Sequence, residues 1–262
     1  GSLATDCDFG PDGTLFVSDW VAGWVGVGKG RIYTFRHKDV EARKAGAATA
    51  QLLGGDWSKH AVPALAALLG NADRRVRLEA QYELVNRGGE SIRVMKAVAL
   101  DKSEGRLARI HALWGLGQMA RRDSFGLMQL SEVASLASDA DAEIRAQVVK
   151  ILGEHPNPYA DHAAILRAGL GDDSPRVRYF AALNLGRFGG KQDVARLLAL
   201  ARENADKDVY IRHACVMGLT GLGDADALVA CKSDEAPSAR LMAVLALRRL
   251  KDSRVAEYLK DA

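Results

Sequence analysis

The stretch GWVGVGKG, Gly23–Gly30, has glycine, four residues, glycine and lysine at the spacing of a phosphate-binding P-loop. A P-loop also needs a serine or threonine after the lysine, which ligates magnesium, and a helix whose amides face the phosphates. Here Gly30 follows Lys29, and strand-forming residues lie on both sides, in TLFVSDW (Thr14–Trp20) and RIYTFR (Arg31–Arg36). We therefore interpret the segment as the connection of a β-hairpin and expect no nucleotide.

Two histidines, His155 and His162, flank the segment PNPYAD, which ends at Asp161. Two imidazoles and a carboxylate can contribute to a metal site, but a closed site needs more ligands than this loop supplies, and its two prolines favour an ordinary connection. The three cysteines form no C-x-x-C pair, and no nucleophile, base and orienting group share a recognisable motif. The sequence thus predicts no catalytic residues, no metal, no cofactor and no enzyme.

One arginine recurs through most of the chain, with a small or apolar residue three positions later and leucine seven positions later. It lies at Arg77, Arg109, Arg145, Arg178, Arg212 and Arg240, in steps of 32, 36, 33, 34 and 28 residues. A repeat of this length is typical of paired helices that stack into a solenoid. Each arginine follows an acidic turn, which predicts a structural ladder of ion pairs: Asp73 with Arg77, Asp141 with Arg145, Asp173 with Arg178, and Asp208 with Arg212.

Around each arginine the same order of elements recurs: an amphipathic helix, an aspartate-rich turn and a second helix that is apolar on most sides. The turn aspartates suit helix N-caps, and Pro175 suits a first helical turn. We predict a mainly α fold, with about six helix pairs over residues 38–262, preceded by a short β-hairpin over residues 1–37. One pair cannot bury its apolar faces alone, so the pairs must stack.

The recurring pattern D…VR…A…AL…LG resembles the HEAT family, in particular its short form named after phycobilisome-lyase-like repeats. The resemblance covers roughly residues 58–262, although the unit of Arg109 has SEGRLAR in place of the aspartate turn and the unit of Arg240 is short. It implies a right-handed α-α superhelix of the HEAT/armadillo-like kind, with the second helices along a concave face. Proteins of this kind are expected to act as scaffolds that bind other proteins.

The first forty residues do not fit the repeat. The segments GPDGTLFVSDW and GKGRIYTFRHKD resemble the last blade of a β-propeller of the sorbosone-dehydrogenase group. In large secreted bacterial proteins of the membrane-bound-dehydrogenase type, such a propeller precedes HEAT-like repeats. The resemblance implies a larger multidomain parent whose chemistry lies outside this sequence. It also implies an extracytoplasmic location, periplasmic or secreted; without it, a cytoplasmic location is expected.

A polar stripe follows the second helices at two, six and nine positions after the arginine, which share one side of an α-helix. We expect this stripe to line the groove, and its members are candidate binding residues: Glu79, Glu83, Asn86, His111, Gln118, Gln147, Glu154, Asn184, Arg187 and Arg249. The alternative is a solvated helix face without a ligand.

Composition limits the remaining possibilities. The formal net charge is +3 and 26% of the residues are charged, which does not favour nucleic-acid binding. No apolar run reaches the length of a membrane-spanning helix. We expect a non-catalytic scaffold that binds a protein or a neighbouring domain of its parent chain. The alternatives are a HEAT-class binder of nucleic acid or anions, and an accessory domain of a secreted sugar-dehydrogenase-like oxidoreductase.

Overall fold

The computed structural model of the protein describes residues 3–20, 30–122, 124–155 and 162–259. The P-loop-like segment up to Lys29 and the PNPYAD loop lie outside the described residues. The chain forms two compact units, Gly1–Asn86 and Arg87–Ala262. The boundary predicted between residues 37 and 38 falls inside the first unit and stays a prediction.

The first unit begins with an antiparallel sheet. Its strands are β1 (Ala4–Phe9), β2 (Leu15–Asp19) and β3 (Arg31–Phe35), in the order β1-β2-β3. The predicted hairpin corresponds to β2 and β3, in which Val17 lies opposite Tyr33. The sequence prediction omitted β1, which pairs with β2 on its other side.

Three α-helices complete this unit: α1 (Val40–Leu53), α2 (Val62–Leu68) and α3 (Arg74–Arg87). The β1–β2 turn lies on them, because Arg75 donates to the Gly10 carbonyl at 3.0 Å and a methyl group on Gly46 would lie 2.0 Å from the Asp12 carbonyl oxygen. From the sequence alone, Trp20, Trp24 and Phe35 are the expected contact residues of this segment. Trp20 and Phe35 are instead about half exposed, and Trp24 lies outside the described residues.

The second unit is helical throughout its described part. Its helices, in chain order, are α4 (Gly89–Leu100), α5 (Arg106–Ala120), α6 (Ser124–Ser131), α7 (Ala142–Glu154), α8 (His162–Gly169), α9 (Pro175–Phe188), α10 (Val194–Asn204), α11 (Val209–Leu222), α12 (Ala225–Ala230) and α13 (Pro237–Leu250). The second helices of the pairs, α5, α7, α9, α11 and α13, each pack against the next. The first helices α4, α8, α10 and α12 pack on their partners α5, α9, α11 and α13.

The repeat register predicted from sequence matches the core. The leucine seven positions after each recurrent arginine is at most 1% exposed; these residues are Leu84, Leu116, Leu152, Leu185, Leu219 and Leu247. The predicted N-caps Asp141 and Asp208 accept backbone amides of α7 and α11, and Pro175 opens α9. Local capping and apolar periodicity thus agree with the packing.

Helices α9 and α11 approach each other backbone to backbone. A methyl group on Gly186 would lie 2.8 Å from the carbonyl oxygen of Gly218, and one on Gly221 would lie 2.4 Å from that of Gly186. From the sequence alone, Gly186 and Gly221 are expected at helix ends, because glycine is the common residue just after a helix. They lie inside α9 and α11, where the missing side chain permits the close contact.

Candidate functional site

Most of the recurrent arginines donate hydrogen bonds to the turn that precedes their own helix. In Arg77, Arg145, Arg178 and Arg240, the Nη1 group donates to the two carbonyls five and six residues earlier. Arg212 differs, since its Nη1 binds the Asp206 carboxylate at 3.0 Å. These contacts satisfy turn carbonyls that would otherwise need water, so the arginine is a structural part of the repeat.

Arg109 and Arg145 reach the turn of the next unit. Arg109 Nη2 lies 2.6 Å from Asp139 Oδ2, and Arg145 binds both carboxylate oxygens of Asp172 at 2.8 Å. The arginine hydrogen bonds lower the pKa of both aspartates below the ordinary value of 3.8. Each aspartate also accepts the amide two residues later, which shapes the turn. The carboxylates therefore link successive repeats.

These pairs differ from the ladder predicted from sequence. The predicted carboxylates have other contacts: Asp73 binds Arg75, Asp141 binds Arg106 and caps α7, and Asp208 caps α11. Asp173 offers its backbone carbonyl to Arg178. The arginine side chain folds back over the turn and reaches the residue six positions earlier, which spacing along the chain alone did not indicate.

The ten predicted groove residues have three different environments. His111, Gln147 and Asn184 are buried; Glu83, Gln118 and Glu154 are half-buried; Glu79, Asn86, Arg187 and Arg249 are exposed. Glu79, Glu83 and Asn86 belong to the first unit, and the others belong to the second. Asn184 donates to the Phe180 carbonyl within its own helix, and Glu154 pairs with Lys150 at 2.7 Å. As candidate binding residues, they remain a prediction.

A chain of side-chain contacts crosses three second helices on this side. His111 and Trp114 of α5 make a T-shaped ring contact with centroids 5.0 Å apart, and Trp114 Nε1 donates to Gln147 Oε1 of α7 at 2.8 Å. Gln147 then donates to Glu143 at 2.6 Å, and Glu143 pairs with Arg176 of α9 at 3.0 Å. We call this set, together with Phe180, the α5–α9 face.

Two side chains of the α5–α9 face, Trp114 and Arg176, are partly exposed while their polar groups are bonded to α7. Trp114 is 37% exposed although its indole nitrogen is held by Gln147, and the neighbouring Leu107 is 48% exposed. The Arg176 guanidinium lies 5.4 Å above the Phe180 ring, where a cation–π contact adds to the ion pair with Glu143. Aromatic and arginine side chains held in this way lose little freedom when a partner covers them.

Sequence reasoning included His111 and Gln147 but omitted Glu143 and Arg176. Glu143 and Arg176 each lie two residues before the recurrent arginine of their helix. Trp114 lies five residues after the recurrent arginine of α5. At 100° per residue, these positions fall within about 60° of the predicted stripe. Helix geometry could therefore have found them, whereas the ion pair between α7 and α9 depends on how the two helices pack.

The two histidines considered for a metal are buried in the structure. Nδ1 of His155 donates to the Ile151 carbonyl at 2.7 Å, and Nδ1 of His162 donates to the Leu152 carbonyl at 3.1 Å. Asp161 lies outside the described residues. Across the described ranges no three histidine, cysteine, aspartate or glutamate side chains cluster as metal ligands would. Within those ranges, too, no helix combines the length and apolarity of a bilayer span.

Residues 130–210 match the family model for HEAT repeats. They extend from the end of α6 to the start of α11 and include the units of Arg145 and Arg178. The X-ray structure of YibA from Escherichia coli is similar, with a TM-score of 0.53, 20% identity, and coverage of 87% of this chain and 82% of that chain. No curated protein matches the sequence.

These findings support a HEAT-like repeat protein with a helical solenoid fold. HEAT repeats generally mediate protein interactions. At this identity the likeness to YibA concerns the fold alone. Neither match concerns a β-propeller, so the propeller resemblance of the first forty residues stays a prediction.

Proposed function

We propose that this protein is a non-catalytic scaffold that binds a partner protein on the α5–α9 face. The observation that carries the proposal is the pair of exposed anchors, Trp114 and Arg176, each fixed by side chains of the neighbouring helix α7. Tryptophan and arginine dominate the binding energy of protein interfaces, above all when they are held in place before binding.

Two further observations favour a protein partner. The exposed Trp114 is linked through Gln147 to the charged Glu143–Arg176 pair, and such a mixture of apolar and charged side chains is found in protein interfaces. Within the described residues, Glu143 and Arg176 neutralise each other. The face therefore lacks the positive excess that a nucleic-acid backbone requires.

The partner can be found by site-specific photocrosslinking in cells. A benzoylphenylalanine at Leu107 should crosslink one defined protein, whereas the same probe at Ala195, an exposed residue of α10, should not. The captured partner is then purified, and its affinity is measured by calorimetry. We expect Trp114→Ala and Arg176→Ala each to weaken binding at least tenfold, which is typical of interface anchors.

Two results would contradict the proposal. One is an identical crosslinking pattern from Leu107 and Ala195, which would indicate unspecific collisions. The other is an affinity that both alanine variants leave unchanged while their far-UV circular dichroism stays that of the wild type.

A further inference from the structure

A basic cleft lies between α11 and α13, away from the α5–α9 face. It has a volume of about 700 Å³, and its lining includes Arg212 and His213 from α11 together with Arg248, Arg249 and Lys251 at the end of α13. None of its lining residues is acidic. Of the ten candidates predicted from sequence, only Arg249 lines this cleft.

The lining of the cleft also has an apolar part. It includes Val209 and Val216 of α11 and Leu245 of α13, and Val209 is 52% exposed. A cleft of this size lies within the range of pockets that hold drug-sized ligands and is much larger than a single phosphate group. The lining therefore matches a ligand that carries several negative charges and an apolar side chain.

The cations of the cleft are available to a ligand. Within the described part of the chain, Arg248, Arg249 and Lys251 form no ion pair. By contrast, Arg145 of an earlier repeat forms an ion pair with the Asp172 carboxylate. Arg212 is braced by Asp206 at 3.0 Å, which fixes the direction of its guanidinium.

The dipole of α13 explains part of this charge, because cations stabilise the C-terminal end of a helix. It does not explain Arg212, which the neighbouring helix adds from its first turn, nor the apolar residues of the lining. A nucleic acid would need basic residues spread over an extended surface, and the net charge of the chain is only +3.

We propose that the cleft between α11 and α13 binds an acidic peptide segment of a partner protein, with carboxylates on Arg248, Arg249 and Lys251 and an apolar side chain on Val216 and Leu245. The site is separate from the α5–α9 face. Photocrosslinking at Leu107 can therefore fail while this inference holds, and the reverse is equally possible.

The test uses the full chain and a fluorescein-labelled peptide in which glutamates flank a central leucine. Fluorescence anisotropy at low ionic strength should show saturable binding, and the same peptide with glutamine in place of glutamate should not bind. Reversing two charges, by Arg248→Glu with Arg249→Glu, should weaken binding at least tenfold. The matched control is Arg121→Glu with Arg122→Glu, an exposed arginine pair at the end of α5, which should change affinity less than twofold.

Four outcomes would overturn the inference. The first is no binding of the acidic peptide to the wild type. The second is an equal loss of affinity in both double variants, which would indicate attraction to the overall charge. The third is a DNA duplex that binds more tightly than the peptide and competes with it, which would assign the cleft to nucleic acid. Competition by millimolar inorganic phosphate as effective as that by unlabelled peptide would equally refute a peptide site.

Discussion

The buried ion pair between Arg109 and Asp139 provides a direct test of how the repeats are joined. The two side chains are only 6% and 3% exposed, and Nη2 lies 2.6 Å from Oδ2. Arg109 also donates through Nε to the Ala99 carbonyl at 3.0 Å. The substitution Asp139→Asn keeps the shape of the side chain but removes its charge, which leaves a buried guanidinium without a counter-charge.

The size of the effect follows from this burial. Removing one partner of a buried ion pair costs about 3–5 kcal/mol, because the remaining charge stays in a poorly solvated site. For a unit of this length, each kcal/mol lowers Tm by about 2–4 °C, so we expect Asp139→Asn to lower it by roughly 6–20 °C. Replacing both charges, by Arg109→Met with Asp139→Asn, should cost less than Asp139→Asn alone.

Urea unfolding followed by far-UV circular dichroism measures the differences in free energy of unfolding, and thermal unfolding followed in the same way measures the differences in Tm. The matched control is Asp173→Asn, the same change at an exposed aspartate of the next turn, whose side chain makes no hydrogen bond among those of the described residues. We expect the control to have the same free energy of unfolding as the wild type. The reasoning is refuted if Asp139→Asn stays within about 1 kcal/mol of the wild type, well below the cost expected for a buried unpaired charge.

Three further predictions concern the second unit and the cysteines. Gly186→Ala should destabilise the protein by about 1–3 kcal/mol in urea, because its methyl group would meet the backbone of α11, whereas Gly171→Ala, with 3.8 Å to the nearest atom, should not. Asp172 has a pKa held below 3.8 by its arginine, so its pair stabilises the fold above about pH 4 and is lost as the pH falls through the folded pKa. Asp172→Asn should therefore show a flatter decline in stability between about pH 5 and pH 2, and an unchanged slope would contradict this assignment. Burial raises the pKa of Cys215 to about 12, so at pH 8 iodoacetamide should label exposed Cys7 in the native protein and Cys215 only after unfolding, as read by mass spectrometry.

Only some residues of the two candidate surfaces can be predicted from the sequence. The helical stripe included His111 and Gln147, because 3.6-residue periodicity is a local property of the chain. It did not indicate that Trp114 donates to the buried Gln147, or that Glu143 meets Arg176, since both contacts join second helices of successive repeats, 33 residues apart in sequence. Arg249 was singled out without its neighbours in the basic cleft, because the cleft exists only where α13 lies beside α11.

Local sequence patterns predict the helix pairs and their register. The apolar periodicity and the capping aspartates are local features of one repeat, so their spacing predicts the local structure directly. The carboxylate that each arginine meets, and the close backbone approach that leaves no room for a side chain at Gly186, follow from the packing of neighbouring helices. Those outcomes depend on the distance and rotation between neighbouring helices, which arise from packing the whole stack and are not encoded in the spacing of any single repeat.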